Sequence, residues 1–151
     1  MKPLLVVAGI VEKNGEILIS QRKANGQRAL KWEFPGGKVE KGETPEEALE
    51  RELMEELDIR TKTGRIFDAK LHGYPEGEVL VLFYRSSLVS GLPRAIDVNG
   101  FRFVKPEELL RYDFAPADVE VAERLKMLCG NAPARAEKDE KTDKSARNMY
   151  D

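Results

Sequence analysis

The sequence predicts an α/β protein of the α+β kind, in which one mixed β-sheet is sandwiched by helices within a single domain. Three observations predict it. Segments of strand character and segments of helical period alternate irregularly, without the regular βαβ repeat of a doubly wound sheet. Asn14-Gly15, set between two apolar runs, is a strong two-residue hairpin signal. Thr44-Pro45-Glu46-Glu47 supplies a capping hydroxyl, a proline at the first helical position and a glutamate at the third.

Taken in order, residues 4–12 are apolar and β-branched and are expected to pair antiparallel with 16–22, placing Ile17 and Ile19 on one side and Leu18 and Ser20 on the other. A polar loop from Lys23 to Arg28 leads to a short strand near Leu30 to Phe34, which Pro35-Gly36-Gly37 is expected to stop and turn. The capping box starts a helix over about 45–57. Strands follow near 64–74 and 78–88, joined by the turn Tyr74-Pro75-Glu76-Gly77. Phe101 to Val104 reads as a short strand and Pro106 to Leu110 as a short helix. Ala117 to Cys129 reads as a last helix with the apolar stripe Val119, Ala122, Leu125 and Met127 or Leu128.

A chain of 151 residues suits one domain, placed here at 1–129, because a domain usually takes roughly 100–200 residues. The polar stretch 130–151 cannot bury enough surface to offset its ordering entropy and is expected to be a flexible tail. No apolar run approaches the ~18 residues of a spanning helix. The single cysteine, Cys129, excludes an internal disulfide, which makes the cytoplasm the expected location. Lys plus Arg number 25 against 27 Asp plus Glu, so the basic stripe of a duplex-DNA binder is absent and any polyphosphate must be held locally. His72 reads as an ordinary strand residue and Cys129 as an unpartnered thiol.

At ~100° per helical residue, Glu52, Glu55 and Glu56 fall in an arc of about 100°, beside the stripe Leu49, Leu53 and Leu57. Three crowded carboxylates repel and raise one another's pKa unless a cation lies among them, and Mg²⁺ or Mn²⁺ is the hard cation such oxygens prefer. Arg51 can pair with Glu55 on its own helix or with Glu43 across the loop. Glutamates at this spacing alone also describe a solvated helix face.

The loop before the helix separates the two readings. Gly37, five residues, Glu43, seven residues, then Arg51-Glu52-Leu53-Met54-Glu55-Glu56-Leu57-Asp58-Ile59 resembles the signature of the Nudix hydrolases, a loop-helix-loop metal site. Every charged position of that pattern is present. The family's late glycine is Asp58 here, where a left-handed conformation is usual, at a cost of about 1 kcal/mol or less, and catalysis is expected to survive.

The resemblance extends over about 4–128 and is similar to the MutT-like branch, through Gln21-Arg22, Trp32-Glu33-Phe34-Pro35-Gly36-Gly37 and Phe114-Ala115-Pro116-Ala117-Asp118. It implies an alpha-beta-alpha sandwich that hydrolyses a nucleoside triphosphate to the monophosphate and pyrophosphate with Mg²⁺, Mn²⁺ able to substitute. Oxidised nucleotides such as 8-oxo-dGTP are the first substrate it implies, CTP or modified dCTP the second, and another nucleoside diphosphate derivative such as ADP-ribose a third. It assigns the Gly36 carbonyl and Glu52, Glu55 and Glu56 to the metal, with Asp97 in the place of a further acid. Glu52 is the expected base, and Arg51, Glu43 and Glu55 complete the catalytic set. Arg22 falls on the phosphates, Gln27 on sugar or phosphate, and Glu33, Phe34, Pro35 and Gly36 border the substrate. Phe34 reads equally as core. Asp118 reads either as an acceptor for a base edge rich in N–H donors or as the N-cap of the last helix. The expected partner is a nucleotide, with no duplex nucleic acid or membrane, and the protein is expected to be a monomer or homodimer.

Overall fold

The computed structural model describes residues 2–130. Its central strand is β1 (Leu4–Lys13), which turns at Asn14 (φ 53°) and Gly15 (φ 79°) into β2 (Glu16–Gln21). Positive φ at both positions is what a primed hairpin turn needs, and Asn-Gly adopts it at little cost. The short strands β3 (Trp32–Glu33) and β4 (Gly36–Lys38) follow, then helix α1 (Pro45–Leu57), strands β5 (Arg60–Tyr74), β6 (Gly77–Ser90) and β7 (Gly100–Val104), and helix α2 (Val119–Gly130). Pro106–Arg111 and Pro116–Asp118 are 3-10 turns.

The sheet is mixed, as expected. β1 runs parallel to β6 and antiparallel to β4, while β6 pairs antiparallel with β5. β2 pairs antiparallel with β3 and β7. The hairpin differs from the expectation of continuous pairing, because β1 and β2 share only the pairs Glu12↔Ile17 and Lys13↔Glu16. Beyond them the strands part, β1 taking β4 as its neighbour and β2 taking β7.

Both faces of β1 are buried, so it reads as a continuous apolar run. Val7 and Val11 meet Leu49, Leu53 and Leu57 of α1, whereas Ala8 and Ile10 belong to the core under Val121, Ala122 and Leu125 of α2. Ile17 and Ile19 join the second core and Leu18 the first, the alternation expected for β2. The result is the layered α-β-α arrangement.

Three local expectations are corrected. Pro35 ends the preceding strand in a bend, as expected, but Gly36 and Gly37 are not part of the turn, since they form β4 against Val7 and Ala8. A Cβ on Gly36 would stand 1.9 Å from the Val7 carbonyl oxygen, so glycine here permits a close approach of two strands. The last helix begins at Val119 after a 3-10 turn, and its buried stripe is Val121, Ala122 and Leu125, while Val119, Met127 and Leu128 are exposed. Asp118 does not cap it, because its carboxylate bonds the Phe34 N–H instead. The expected tail lies outside the described residues. Among the described residues no helix is long and apolar enough to cross a membrane.

Helix α1 is fixed at both ends. Thr44 Oγ1 accepts from the Glu47 N–H (3.1 Å) and Glu47 Oε1 from the Thr44 N–H (2.9 Å), closing the capping box. Asp58 adopts the left-handed cap (φ 56°, ψ 39°), its N–H bonding Met54 O. The segment 91–99 completes the end: Arg94 N–H donates to Leu57 O, and Ile96 and Asp97 N–H to Glu56 O, satisfying carbonyls that a helix end otherwise leaves open.

Candidate active site

Helix α1 and strand β4 bring the acidic side chains to the sheet. A Cβ on Gly37 would lie 2.4 Å from the Glu52 carboxylate, so only glycine lets Glu52 rest against β4. Arg51 organises the surroundings. Its Nε and Nη2 donate to both oxygens of Glu43 (2.5 and 2.9 Å), Nη2 also to Lys38 O, and Nη1 to Glu52 Oε1 (2.9 Å) and Glu55 Oε2 (3.2 Å). The loop, the helix and β4 are thus pinned by one guanidinium, whose planar fork suits bidentate pairing. The Arg51 bond and the Glu40 N–H hold Glu43 at about 2, well below the usual carboxylate range.

Glu56 is in the opposite condition. Burial, and then the like charges of Glu33, Glu52 and Asp97, push its pKa up to about 9, and its Oε1 is buried with no hydrogen-bond partner among the described residues. Burial likewise raises Glu52, against the pull of Arg51. Glu55 is exposed and faces Arg51. Asp97 is exposed too and is ion-paired with Lys23.

A cavity of about 590 Å³ opens on this cluster. Glu52, Glu56, Gly36 and Arg22 line it, and so do Gln27, Glu33, Phe34 and Asp118. Arg22 Nη1 donates to Glu33 Oε1 (3.0 Å) and Nε to Gln27 O (3.1 Å). Burial lifts the Glu33 pKa, opposed by Arg22 and Arg28. Asp118 is 6% exposed, its Oδ2 accepts from the Phe34 N–H at 2.9 Å, and burial followed by the Glu33 charge raises its pKa well above the ordinary value. The Phe34 ring is 2% exposed and stacks on Phe114 with centroids 5.3 Å apart, so it is a packed wall and not a free stacking plate. Pro35 is buried, its carbonyl taking the Gly9 N–H. Pro35, Glu43, Arg51, Glu55 and Asp97 stand outside the cavity lining.

A family model described as NUDIX domain matches residues 2–125. The chain belongs to the Nudix family. It is 38% identical over 135 residues to the CTP pyrophosphohydrolase of Escherichia coli K12, covering 89% of this chain and 99% of that protein. It is 36% identical over 129 residues to the 8-oxo-dGTP diphosphatase of the same organism, covering 85% and 100%. The solution structure of the E. coli ORF135 protein superposes with a TM-score of 0.72 at 36% identity, covering 89% and 96%. The protein is therefore a Nudix hydrolase, of a family that needs a divalent metal.

The Nudix residues fit such a cation. A buried acceptor without a donor, next to the Glu52 carboxylate, is what a hard cation satisfies. Among the described residues no three acidic, histidine or cysteine side chains form a finished cage, since Glu52 and Glu55 both bend to Arg51. Arg28, Tyr74 and Glu76 are among the cavity-lining residues that escaped sequence reasoning. Tyr74 and Glu76 were legible only as turn residues, and Arg28 as loop polarity; their convergence is tertiary.

Proposed function

We propose that this Nudix hydrolase splits nucleoside triphosphates into the monophosphate and pyrophosphate with Mg²⁺, which Mn²⁺ can replace, removing oxidised nucleotides such as 8-oxo-dGTP. The observation that carries this reading is one cavity with Glu52 and Glu56 on its wall together with the buried Asp118. A molecule with an anhydride to cleave and a base to be read suits both. The 8-oxo-dGTP diphosphatase of E. coli, 36% identical, supports the oxidised substrate. The CTP pyrophosphohydrolase, 38% identical, supports a second reading in which CTP or a modified dCTP is preferred, and a carboxylate acceptor at Asp118 suits the cytosine amino group.

In this mechanism Glu52, Glu55, Glu56 and the Gly36 carbonyl would hold the cation, with Asp97 as a further acid. When bound, the cation shields phosphate charge and lowers the pKa of water. Glu52 takes the proton of the attacking water at the carboxylate oxygen that Arg51 does not occupy. Arg51 and Glu43 keep Glu52 in place. Arg22 meets the phosphates, Gln27 the sugar or phosphate, and Glu33, Phe34 and Pro35 shape the walls. A lone thiol, Cys129, with no disulfide suits the cytoplasm, where a nucleotide pool is found.

A panel of triphosphates and nucleoside diphosphate derivatives, scored for pyrophosphate against orthophosphate, tests the proposal. Pyrophosphate from triphosphates is expected, with kcat falling by roughly 10²–10⁴ in Glu52→Gln. Orthophosphate release, or turnover of ADP-ribose alone, sinks the reading.

A further inference from the structure

The same cavity carries a guanidinium group that the reaction above does not use. Arg28 lines it, with its guanidinium carbon 3.7 Å from the centre of the Tyr74 ring and Nη2 2.6 Å from Glu76 Oε2. The residue holds a left-handed backbone (φ 53°) within a loop closed by Arg22 N–H to Lys31 O and Lys31 N–H to Arg28 O. Non-glycine residues persist in that conformation where surrounding contacts over-determine it, often at ligand clamps. Tyr74, beneath the guanidinium, takes the Ala117 N–H on its hydroxyl at 3.0 Å, and Ala117 is the neighbour of Asp118. Arg28 is therefore bound through one aromatic ring to the segment that carries the buried carboxylate.

The donors and acceptors around it are unbalanced. Glu33, Glu76 and Asp118 are carboxyl groups, and Arg22 is already committed to Glu33. Among the described residues no further hydrogen bond beyond the Glu76 pair engages the Arg28 guanidinium, which leaves a rigid fork of N–H donors at the cavity. A base that offers N–H groups to Asp118 needs a donor for its carbonyl oxygen. Guanine, its oxidised forms and cytosine carry such a carbonyl, whereas adenine carries none.

We propose that Arg28 is a specificity-determining residue that donates to a nucleobase carbonyl, selecting carbonyl-bearing bases over adenine. The inference rests on the reading that this cavity takes nucleotides. Its test is titration calorimetry without metal, with GMP, CMP, AMP and ribose 5-phosphate against the full chain and its Arg28→Ala and Arg28→Lys variants. Arg28→Ala is expected to weaken GMP or CMP at least tenfold and to leave AMP and ribose 5-phosphate within about twofold. Arg28→Lys, which keeps charge but not the planar fork, is expected to stay near Arg28→Ala. An equal loss for AMP, no loss for GMP and CMP, or full recovery in Arg28→Lys overturns the role of Arg28 while leaving the nucleotide reading intact. Failure of the unaltered protein to bind any nucleoside monophosphate removes that reading, and this inference with it.

Discussion

Asp118 shows how much one side chain can be asked to do. Its carboxylate is buried, accepts from the Phe34 N–H and has its pKa raised first by desolvation and then by Glu33. Between the unfolded value near 3.8 and the higher folded value, the native state binds more protons than the unfolded state. Stability from this group is therefore fullest at low pH and falls as pH rises through that window. Asparagine keeps an acceptor for Phe34 and cannot ionise. In Asp118→Asn the drop in melting temperature from pH 5 to pH 8 is expected to shrink relative to the parent, and the ranking of bases to change. An identical pH profile in parent and variant would show that Asp118 does not carry the burden assigned to it.

At the scale of elements, β4 and α1 have to approach within the space of a hydrogen atom at one point. Because a Gly37 Cβ would stand 2.4 Å from the Glu52 carboxylate, Gly37→Ala is expected to fold but to lose most activity, by more than about 10², since misplacing a catalytic group by an ångström costs on that order. Gly36→Ala meets backbone at 1.9 Å and is expected to impair folding itself, which circular dichroism distinguishes from the first case. At the other end of α1, Asp58→Gly relieves a left-handed aspartate (φ 56°) and is expected to raise stability by up to about 1 kcal/mol with kcat unchanged. This element was largely legible beforehand, because capping, helical period and the spacing of Glu43, Arg51, Glu52, Glu55 and Glu56 are all local. The role of Gly36-Gly37 was not, because Pro-Gly-Gly has the same local signature in a turn and in a strand pressed against a neighbour. Only the partner strand β1 decides between them.

Across the whole molecule, the mixed sheet was legible from the order of its segments, but the parting of β1 from β2 was not, since it depends on which strands arrive at their free edges. That parting has a functional consequence. With β1 carrying β4 on one edge and β6 on the other, residues as distant in sequence as Arg22, Glu56 and Asp118 share one cavity. Its least satisfied member is Glu56, whose Oε1 is buried without a donor, so the metal-free fold bears a cost that a divalent cation should relieve. A ligand that binds only the folded state at 100 times its Kd stabilises it by about 2.7 kcal/mol, which for a chain of this size is on the order of 5–10 °C. Mg²⁺ is expected to raise the melting temperature of the parent by that amount, and EDTA to reverse it. In Glu56→Gln the metal-free protein is expected to melt at or above the parent near neutral pH, because an amide is spared the proton uptake on folding that burial and the neighbouring Glu33, Glu52 and Asp97 charges impose on the Glu56 carboxyl, and to gain less than half the metal-induced shift. A variant that gains as much from Mg²⁺ as the parent would mean that the cation binds away from Glu56, and calorimetric melting at saturating and zero Mg²⁺ reads the difference directly.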